Sequence, residues 1–212
     1  MKSSSAAVDL PVAPAKCATC DALAQAPLVC QDCHQLLAHV QGADYFELFG
    51  LAPKYAIDER LLAERYLAIS RNIHPDKFAN AGNEMQSFAL RASAAVNRAH
   101  DVLRDGFLRA EYMLESAGGK SAAQDKRVPE DLLTTVMMLR EEIEEAKHNK
   151  DAATLKRIGA DVESRQRRSQ SRIVELCEGI ATAAQQQKDA LRLELNAMKY
   201  LNNLLGQISH LQ

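Results

Sequence analysis

The stretch His74-Pro75-Asp76-Lys77-Phe78 decides how the first half of this 212-residue chain folds, because apolar residues recur at helical spacing on both sides of it. The upstream stripe is Leu62, Tyr66, Ile69 and Ile73, and the downstream stripe is Phe88, Ala92, Ala95, Ala99 and Leu103. Pro75 has no backbone N–H and disfavours helical backbone at His74, so the first helix must end there. The pattern predicts two antiparallel helices, the first capped by Asp58, joined by a turn that exposes Asp76.

The composition favours a helical protein that binds neither nucleic acid nor membrane. Apolar residues make up 47% of the chain, aromatic residues only 5%, and the net charge is −2. No run approaches the ~20 apolar residues of a membrane span. Residues 1–16 lack a continuous apolar segment and contain no Arg, so we expect neither a secretory signal nor a transit peptide. The expected location is the cytoplasm, or the mitochondrial matrix if the source is eukaryotic.

Shifts in composition divide the chain into five segments. We expect a flexible tail over 1–16, a cysteine-containing module over 17–41, the two-helix region over 44–116, a linker over 117–128 and a helical bundle over 129–212. No alternation of β-branched residues predicts a strand, so the fold class is all-α. Three apolar stripes separated by short polar connections predict a three-helix bundle at the C-terminus. The stripes are Leu132, Val136, Leu139, Ile143 and Ala146; Leu155, Ile158, Val162, Ile173, Leu176 and Ile180; and Leu191, Leu195, Met198, Leu201, Leu205 and Ile208.

The first bundle helix has more apolar surface than a bundle core requires. At ~100° per residue, Leu133 and Met137 lie about 60–100° from the core stripe, and Glu141 and Glu145 continue their line. The last helix has a second line of its own, formed by Leu193, Tyr200, Leu204 and Leu211. Two interpretations are open: the lines are buried against the two-helix region, or they form an exposed partner site with an acidic end.

Four cysteines form two Cys-x-x-Cys pairs, Cys17 with Cys20 and Cys30 with Cys33. Two such pairs supply the four thiolates of a tetrahedral zinc site, and disulfides are disfavoured in a cytoplasmic protein. Structural Zn²⁺ is the prediction, and a redox dithiol pair or an iron–sulfur cluster are the alternatives. The fifth cysteine, Cys177, follows a core leucine and is predicted to be a partly buried thiol.

The His-Pro-Asp turn between two helices resembles the J-domain, the module that docks onto DnaK-type ATPase chaperones. The opening string Asp44-Tyr45-Phe46-Glu47-Leu48-Phe49-Gly50-Leu51 and the Asn97-Arg98-Ala99 string also fit that family. The alternative is a helical hairpin with no partner.

Two further strings make the resemblance more specific. Arg109-Ala110-Glu111-Tyr112-Met113-Leu114 is absent from ordinary J-domains, and Leu139-Arg140-Glu141-Glu142 matches in the bundle, so the chain resembles HscB/Jac-type co-chaperones of iron–sulfur cluster biogenesis. The resemblance implies that the bundle binds an IscU-type scaffold protein and that the J-domain brings it to an HscA/DnaK-type chaperone. The implied chaperone-binding residues are His74, Pro75, Asp76, Lys77, Arg71 and Arg60, and the implied scaffold-binding residues are Leu133, Met137, Glu141, Glu145 and Tyr200. Some members also carry an N-terminal zinc module.

The chain departs from the family pattern in two places. Thr134-Thr135 replaces a Met-Glu pair, and Met138 replaces an acidic residue, which bears on the affinity for the scaffold. The second J-domain helix is also not clearly basic. Its Arg60 and Arg71 share one face, but nearby carboxylates balance them, so we expect modest electrostatic steering.

We considered two other functions, a general co-chaperone and an enzyme. A general J-domain co-chaperone for another client is the alternative, although the chain has neither a Gly/Phe-rich segment nor Cys-x-x-Cys-x-Gly-x-Gly repeats. An enzyme is not expected, because no phosphate-binding glycine loop, Ser/His/Asp grouping or open metal site is visible.

Overall fold

The computed structural model describes residues 16–17, 20–22, 44–80 and 82–209. Within these residues every regular element of three or more residues is helical, which confirms the all-α prediction. The helices are α1 (Tyr45–Leu48), α2 (Glu59–Ile73), α3 (Asn83–Arg104), α4 (Gly106–Ser116), α5 (Glu130–His148), α6 (Ala152–Cys177) and α7 (Gln185–Ser209), with 3₁₀ turns at Pro75–Phe78 and Ile180–Thr182. None of these helices is long and apolar enough to cross a lipid bilayer.

The chain forms two compact units, Met1–Arg109 and Ala110–Gln212. The boundary between them falls inside α4, whereas the sequence suggested a two-helix region over 44–116 and a linker over 117–128. Residues 110–128 therefore belong to the C-terminal compact unit, and side-chain contacts described below explain why.

In the first unit, acidic caps fix where α1 and α2 begin. Asp44 and Glu47 form a capping box, in which the Glu47 amide donates to Asp44 Oδ1 at 2.7 Å and the Asp44 amide donates to Glu47 Oε2 at 2.9 Å. Asp58 accepts a hydrogen bond from the Leu61 amide at 3.0 Å, which confirms it as the N-cap of α2. Each cap satisfies a backbone donor that the first helical turn leaves unpaired.

The core of the first unit lies between α2 and α3. Leu62, Ile69 and Ile73 of the predicted α2 stripe are buried and Tyr66 is only partly buried. The buried line of α3 is Ala89, Ala92, Val96, Ala99 and Leu103. Phe88 and Ala95, which were predicted to be core, are only partly buried. The centre of the buried arc is therefore rotated by less than one residue from the predicted stripe, toward small side chains that allow close helix contact.

Two arginine side chains, those of Arg65 and Arg109, donate to backbone carbonyls at helix ends of the first unit. Arg65 Nη1 donates to the carbonyl oxygens of Phe49 and Gly50, at 2.5 Å each, just after α1 ends. Gly50 has a φ of +58°, and a Cβ there would lie 3.2 Å from Arg65 Nη1, so glycine suits this turn. Arg109 Nη1 donates to the Leu103 carbonyl at 2.5 Å and satisfies an acceptor in the last turn of α3.

Tyr66 and His100 connect α2 to α3 through stacked rings, whose centroids lie 4.0 Å apart. The Tyr66 hydroxyl donates to Asn97 Oδ1 at 3.0 Å. Burial, and secondarily the positive charge of Arg104, hold the pKa of His100 below its ordinary value. His100 is thus better suited to a neutral, stacked structural role than to proton transfer.

The second unit has a core between α5, α6 and α7 that follows the predicted stripes, although Leu155, Leu205 and Ile208 are only partly buried. One contiguous cluster contains Leu132, Val136, Leu139, Ile143, Ile158, Val162, Ala197, Leu201 and Leu204. Leu204 is completely buried, so its assignment to a separate outer line of α7 was wrong. The physical reason is that α7 packs against both α5 and α6, so its buried arc is wider than one stripe. Leu193 is half-buried, and Leu211 lies outside the described residues.

Residues 110–128 are held to α7 by polar contacts. The fully buried guanidinium of Arg192 donates to both carboxylate oxygens of Glu111, at 2.5 and 2.7 Å, and Lys199 lies 3.3 Å from the same carboxylate. Further along, Asn196 Nδ2 donates to the carbonyl oxygens of Asp125 and Arg127, at 2.9 and 2.7 Å. The predicted linker is therefore bonded to the bundle along part of its length.

Glu111→Gln is expected to lower the free energy of unfolding by about 3 kcal/mol, because it leaves the Arg192 guanidinium buried without a counter-charge. Burial alone would raise the pKa of Glu111, but the hydrogen bonds and charges of Arg192 and Lys199 outweigh it and hold the pKa below the ordinary 4.5. A carboxylate with a lowered pKa stabilises the fold above its unfolded pKa and loses that contribution as the pH falls through its folded pKa. In urea unfolding, the difference in the free energy of unfolding between wild type and the Glu111→Gln variant should become smaller as the pH falls well below 4.5.

Glu115→Gln is the matched control, because Glu115 lies one turn further along α4 and is exposed. Its effect should stay within about 0.5 kcal/mol. Equal unfolding free energies for the two variants would show that the buried pair contributes nothing to stability.

Candidate partner-binding surfaces

The His74-Pro75-Asp76 turn presents its carboxylate to solvent. His74 ends α2 with extended backbone (φ −58°, ψ 128°), and Pro75 opens the 3₁₀ turn that follows. The side chain of Asp76 is 89% exposed. The Asp76 amide donates to His74 Nδ1 at 3.3 Å, and the same Nδ1 lies 3.4 Å from Asp76 Oδ2. Because this amide donates to the imidazole, the exposed Asp76 carboxylate is available to a donor from another molecule.

The face of α2 that leads to this turn is mixed in character. Arg60 and Arg71 are exposed, as is Lys77 in the turn. Arg60 Nε lies 3.0 Å from Glu64 Oε1, so its charge is partly balanced locally. Leu67 is half-exposed between the two arginines, about 140° from Leu62 at ~100° per residue. Sequence reasoning missed Leu67, because it lies off the apolar stripe and was not considered as a surface residue.

The outer face of α5 combines apolar and acidic residues. Leu133 is 45% exposed and Met137 is 65% exposed, and Glu141 and Glu145 are exposed one and two turns after Met137. Met138, which is 64% exposed, widens this surface on its other side. We call Leu133, Met137, Met138, Glu141 and Glu145 the α5 patch. Its exposure favours the interpretation as a partner site over the interpretation as core.

Tyr200 differs from the other residues predicted to bind the scaffold. It lies on α7, is half-buried, and packs against the core cluster of the second unit. Part of its ring therefore stabilises the fold, and only the remainder is accessible. Any test of Tyr200 in binding must separate these two contributions.

Cys17 and Cys20 are the two predicted zinc ligands that the structure describes, whereas Cys30 and Cys33 lie outside the described residues. Two backbone hydrogen bonds join described residues around this pair: the Asp21 amide donates to the Cys17 carbonyl and the Cys17 amide donates to the Ala22 carbonyl, both at 2.9 Å. These bonds bring Cys17 and Asp21, which follows Cys20, close together, as expected for a Cys-x-x-Cys pair that shares one ion. Among the described residues alone, no group of three or more candidate ligands is found, and zinc stays a prediction.

Comparisons with known proteins point to one family. Residues 128–209 match the family model described as the HSCB C-terminal oligomerisation domain. Two curated proteins, each described as a co-chaperone protein HscB homolog, are similar: that of Shewanella halifaxensis is 38% identical over 109 residues, and that of Shewanella woodyi is 41% identical over 112 residues. These alignments cover 51% and 52% of this chain and 63% and 64% of the relatives, so the chain spans less than two thirds of the length of the curated relatives it matches.

Two solved structures share the fold. The chaperone HscB from Vibrio cholerae has a TM-score of 0.65 and 28% identity, and the match covers 79% of this chain and 96% of that one. The human co-chaperone protein HscB has a TM-score of 0.74 over 92% of this chain and 98% of its own. At 23% identity, the human structure supports the fold alone.

Substitutions in the α5 patch are expected to leave stability almost unchanged. Leu133→Ala and Met137→Ala should each change the free energy of unfolding by less than about 0.5 kcal/mol, because both side chains are exposed. Ile143→Ala, on the buried face of the same helix, should cost about 2–5 kcal/mol. Urea unfolding measures all three. A loss of about 2 kcal/mol or more in either patch variant, which is the scale of a core substitution, would show that the patch is core.

Proposed function

We propose that this chain, which is similar to proteins of the HscB co-chaperone family, delivers an IscU-type iron–sulfur scaffold protein to an HscA/DnaK-type ATPase chaperone and stimulates ATP hydrolysis by that chaperone. The family is not enzymatic, so hydrolysis belongs to the partner. One observation carries the proposal: two exposed surfaces of different chemistry, the His-Pro-Asp turn and the α5 patch, lie in separate compact units of one chain.

The J-domain supports the chaperone half of the proposal. Asp76 is exposed, rigidly placed after Pro75, and able to accept a charge-assisted hydrogen bond from a chaperone arginine. Arg71 and Lys77 flank it and suit an acidic surface on the chaperone. A co-chaperone shifts the ATPase only by binding its hydrolysis-competent state more tightly than its other states. Asp76 is the residue to which we assign that difference in affinity.

The α5 patch supports the scaffold half. Leu133 and Met137 offer apolar area at the centre of an exposed helix face, and Glu141 and Glu145 offer negative charge at one end. This combination fits a partner whose apolar contact surface is bordered by basic groups. The bundle therefore holds the scaffold while the J-domain engages the chaperone, and hydrolysis traps the scaffold on the chaperone.

Steady-state ATPase of a DnaK-type chaperone, with and without the scaffold protein, tests both halves. Wild type and scaffold together should stimulate hydrolysis more than the sum of their separate effects. Asp76→Asn should reduce stimulation by more than about tenfold, because truncating one partner of a charged hydrogen bond costs about 2–5 kcal/mol. Asp101→Asn is the matched control, since Asp101 is an exposed carboxylate on α3 whose ion pair with Arg104 is solvent-screened.

The double variant Leu133→Ala/Met137→Ala separates the proposed function from its alternative. This variant should still stimulate the ATPase of the chaperone in the absence of scaffold, but scaffold should no longer increase that stimulation. If scaffold does not increase the stimulation by the wild type either, the protein would be a general J-domain co-chaperone for another client. Equal activity of the Asp76→Asn and Asp101→Asn variants would contradict the role of the His-Pro-Asp turn.

We also propose that Cys17, Cys20, Cys30 and Cys33 hold one structural Zn²⁺ ion. The backbone hydrogen bonds among Cys17, Asp21 and Ala22 and the spacing of the two pairs support it. The full chain, purified under reducing conditions, should contain one zinc ion, measured by elemental mass spectrometry. Cys17→Ser/Cys20→Ser should lose the ion, whereas Cys177→Ser, which changes the cysteine of α6, should keep it. Visible absorbance from bound iron, or four thiols that titrate freely without metal, would overturn the proposal.

A further inference from the structure

Two adjacent methionines stand out on the surface of the second unit. Met137 is 65% exposed and Met138 is 64% exposed, the two highest values among the large apolar side chains of the described residues. Met113 and Met198 are buried, and Met85 in the first unit is 37% exposed. Solvent oxidants therefore reach the thioethers of Met137 and Met138 more readily than those of the buried methionines.

Helix geometry places both sulfurs within the α5 patch. Met137 lies one turn after Leu133, on the same line of the helix, and Met138 lies one turn after Thr134 and one turn before Glu141. At ~100° between consecutive residues, the two methionines cover neighbouring parts of one broad face. A partner seated on this face would bury both thioethers at once.

We propose that Met137 and Met138 form a methionine-oxidation site through which peroxides control scaffold binding, an inference that rests on the proposed function. In each step a sulfur lone pair attacks one oxygen of a peroxide. The S–O bond forms as the O–O bond breaks, and the proton on the transferred oxygen passes to the departing oxygen, which leaves as water or an alcohol. The thioether is oxidised by two electrons to a sulfoxide, and the peroxide is reduced by two.

The consequence for binding follows from the change in polarity. A thioether is flexible and apolar, whereas a sulfoxide is polar and accepts hydrogen bonds that an apolar partner surface does not supply. Docking the oxidised patch therefore desolvates two polar groups without compensation. Because Met113 and Met198 are shielded, moderate oxidation changes the patch before it reaches the methionines of the core. Methionine sulfoxide reductases restore the thioether, so the change is reversible.

The test treats the full chain with increasing hydrogen peroxide and follows each methionine by peptide mass spectrometry. Met137 and Met138 should gain one oxygen atom each before Met113 and Met198 do, with Met85 in between. Calorimetric titration with the IscU-type scaffold should then show a Kd raised by about tenfold or more, which corresponds to about 1.4 kcal/mol. Prior addition of the scaffold should slow oxidation at Met137 and Met138 and not at Met85.

Leucine variants isolate these two sulfurs from the cysteines, which peroxide also attacks. Met137→Leu/Met138→Leu keeps the patch apolar without its two sulfurs, so its Kd for scaffold, whatever the value before treatment, should not change on addition of peroxide. Met85→Leu is the control and should remain as sensitive as wild type. Unchanged affinity of fully oxidised wild type, or lost affinity of the oxidised double leucine variant, would overturn the inference while leaving the proposed function standing. Failure of untreated wild type to bind scaffold would overturn both.

Discussion

The C-terminal unit depends on one buried charge. The guanidinium of Arg192 is withdrawn completely from solvent on α7, between core residues Leu191 and Leu195. A buried cation is tolerated only if a counter-charge and hydrogen bonds accompany it, and Glu111 on α4 supplies both through two short bonds. This requirement fixes the part of α4 that belongs to this unit, from Ala110 onward, against α7. The Asn196 amide, one turn along α7, then holds the segment that follows α4, so the unit contains more than the three long helices.

Local patterns predicted most of the helices, whereas the contact that joins them was not predictable. Apolar periodicity and caps such as Asp58 act within a few residues, so they can be recognised in the sequence. Glu111 and Arg192 are separated by 81 positions, and apolar periodicity does not predict that two charged residues so far apart will form a buried pair. The error at Leu204 has a related cause. One stripe describes a helix with one neighbour, and α7 has neighbours on two sides.

The candidate surfaces were predicted to different degrees for physical reasons. The exposure of Asp76 follows from Pro75, which ends α2 and leaves the next residue at a corner. The α5 patch was predicted because Leu133 and Met137 break the usual division of an amphipathic helix, and the resemblance to HscB proteins added the same positions. Tyr200 was placed on the right helix, but a helical angle does not determine how far an aromatic ring leans into the core.

The α5 patch contributes little to the stability of its own unit, because Leu132 and Val136 already fill the core on the opposite face. Three exposed apolar side chains on one helix raise the risk of aggregation, so such a surface is useful to a protein only where a partner covers it.

Met138 stands where the family pattern has an acidic residue, and this exchange changes how the surface can bind a partner. An acidic residue there would attract a basic partner over about 10 Å, whereas a methionine stabilises only a formed contact. With methionine at position 138, binding of a partner depends on close apolar packing. Oxidation of the thioether to a sulfoxide adds one oxygen atom and disturbs that packing.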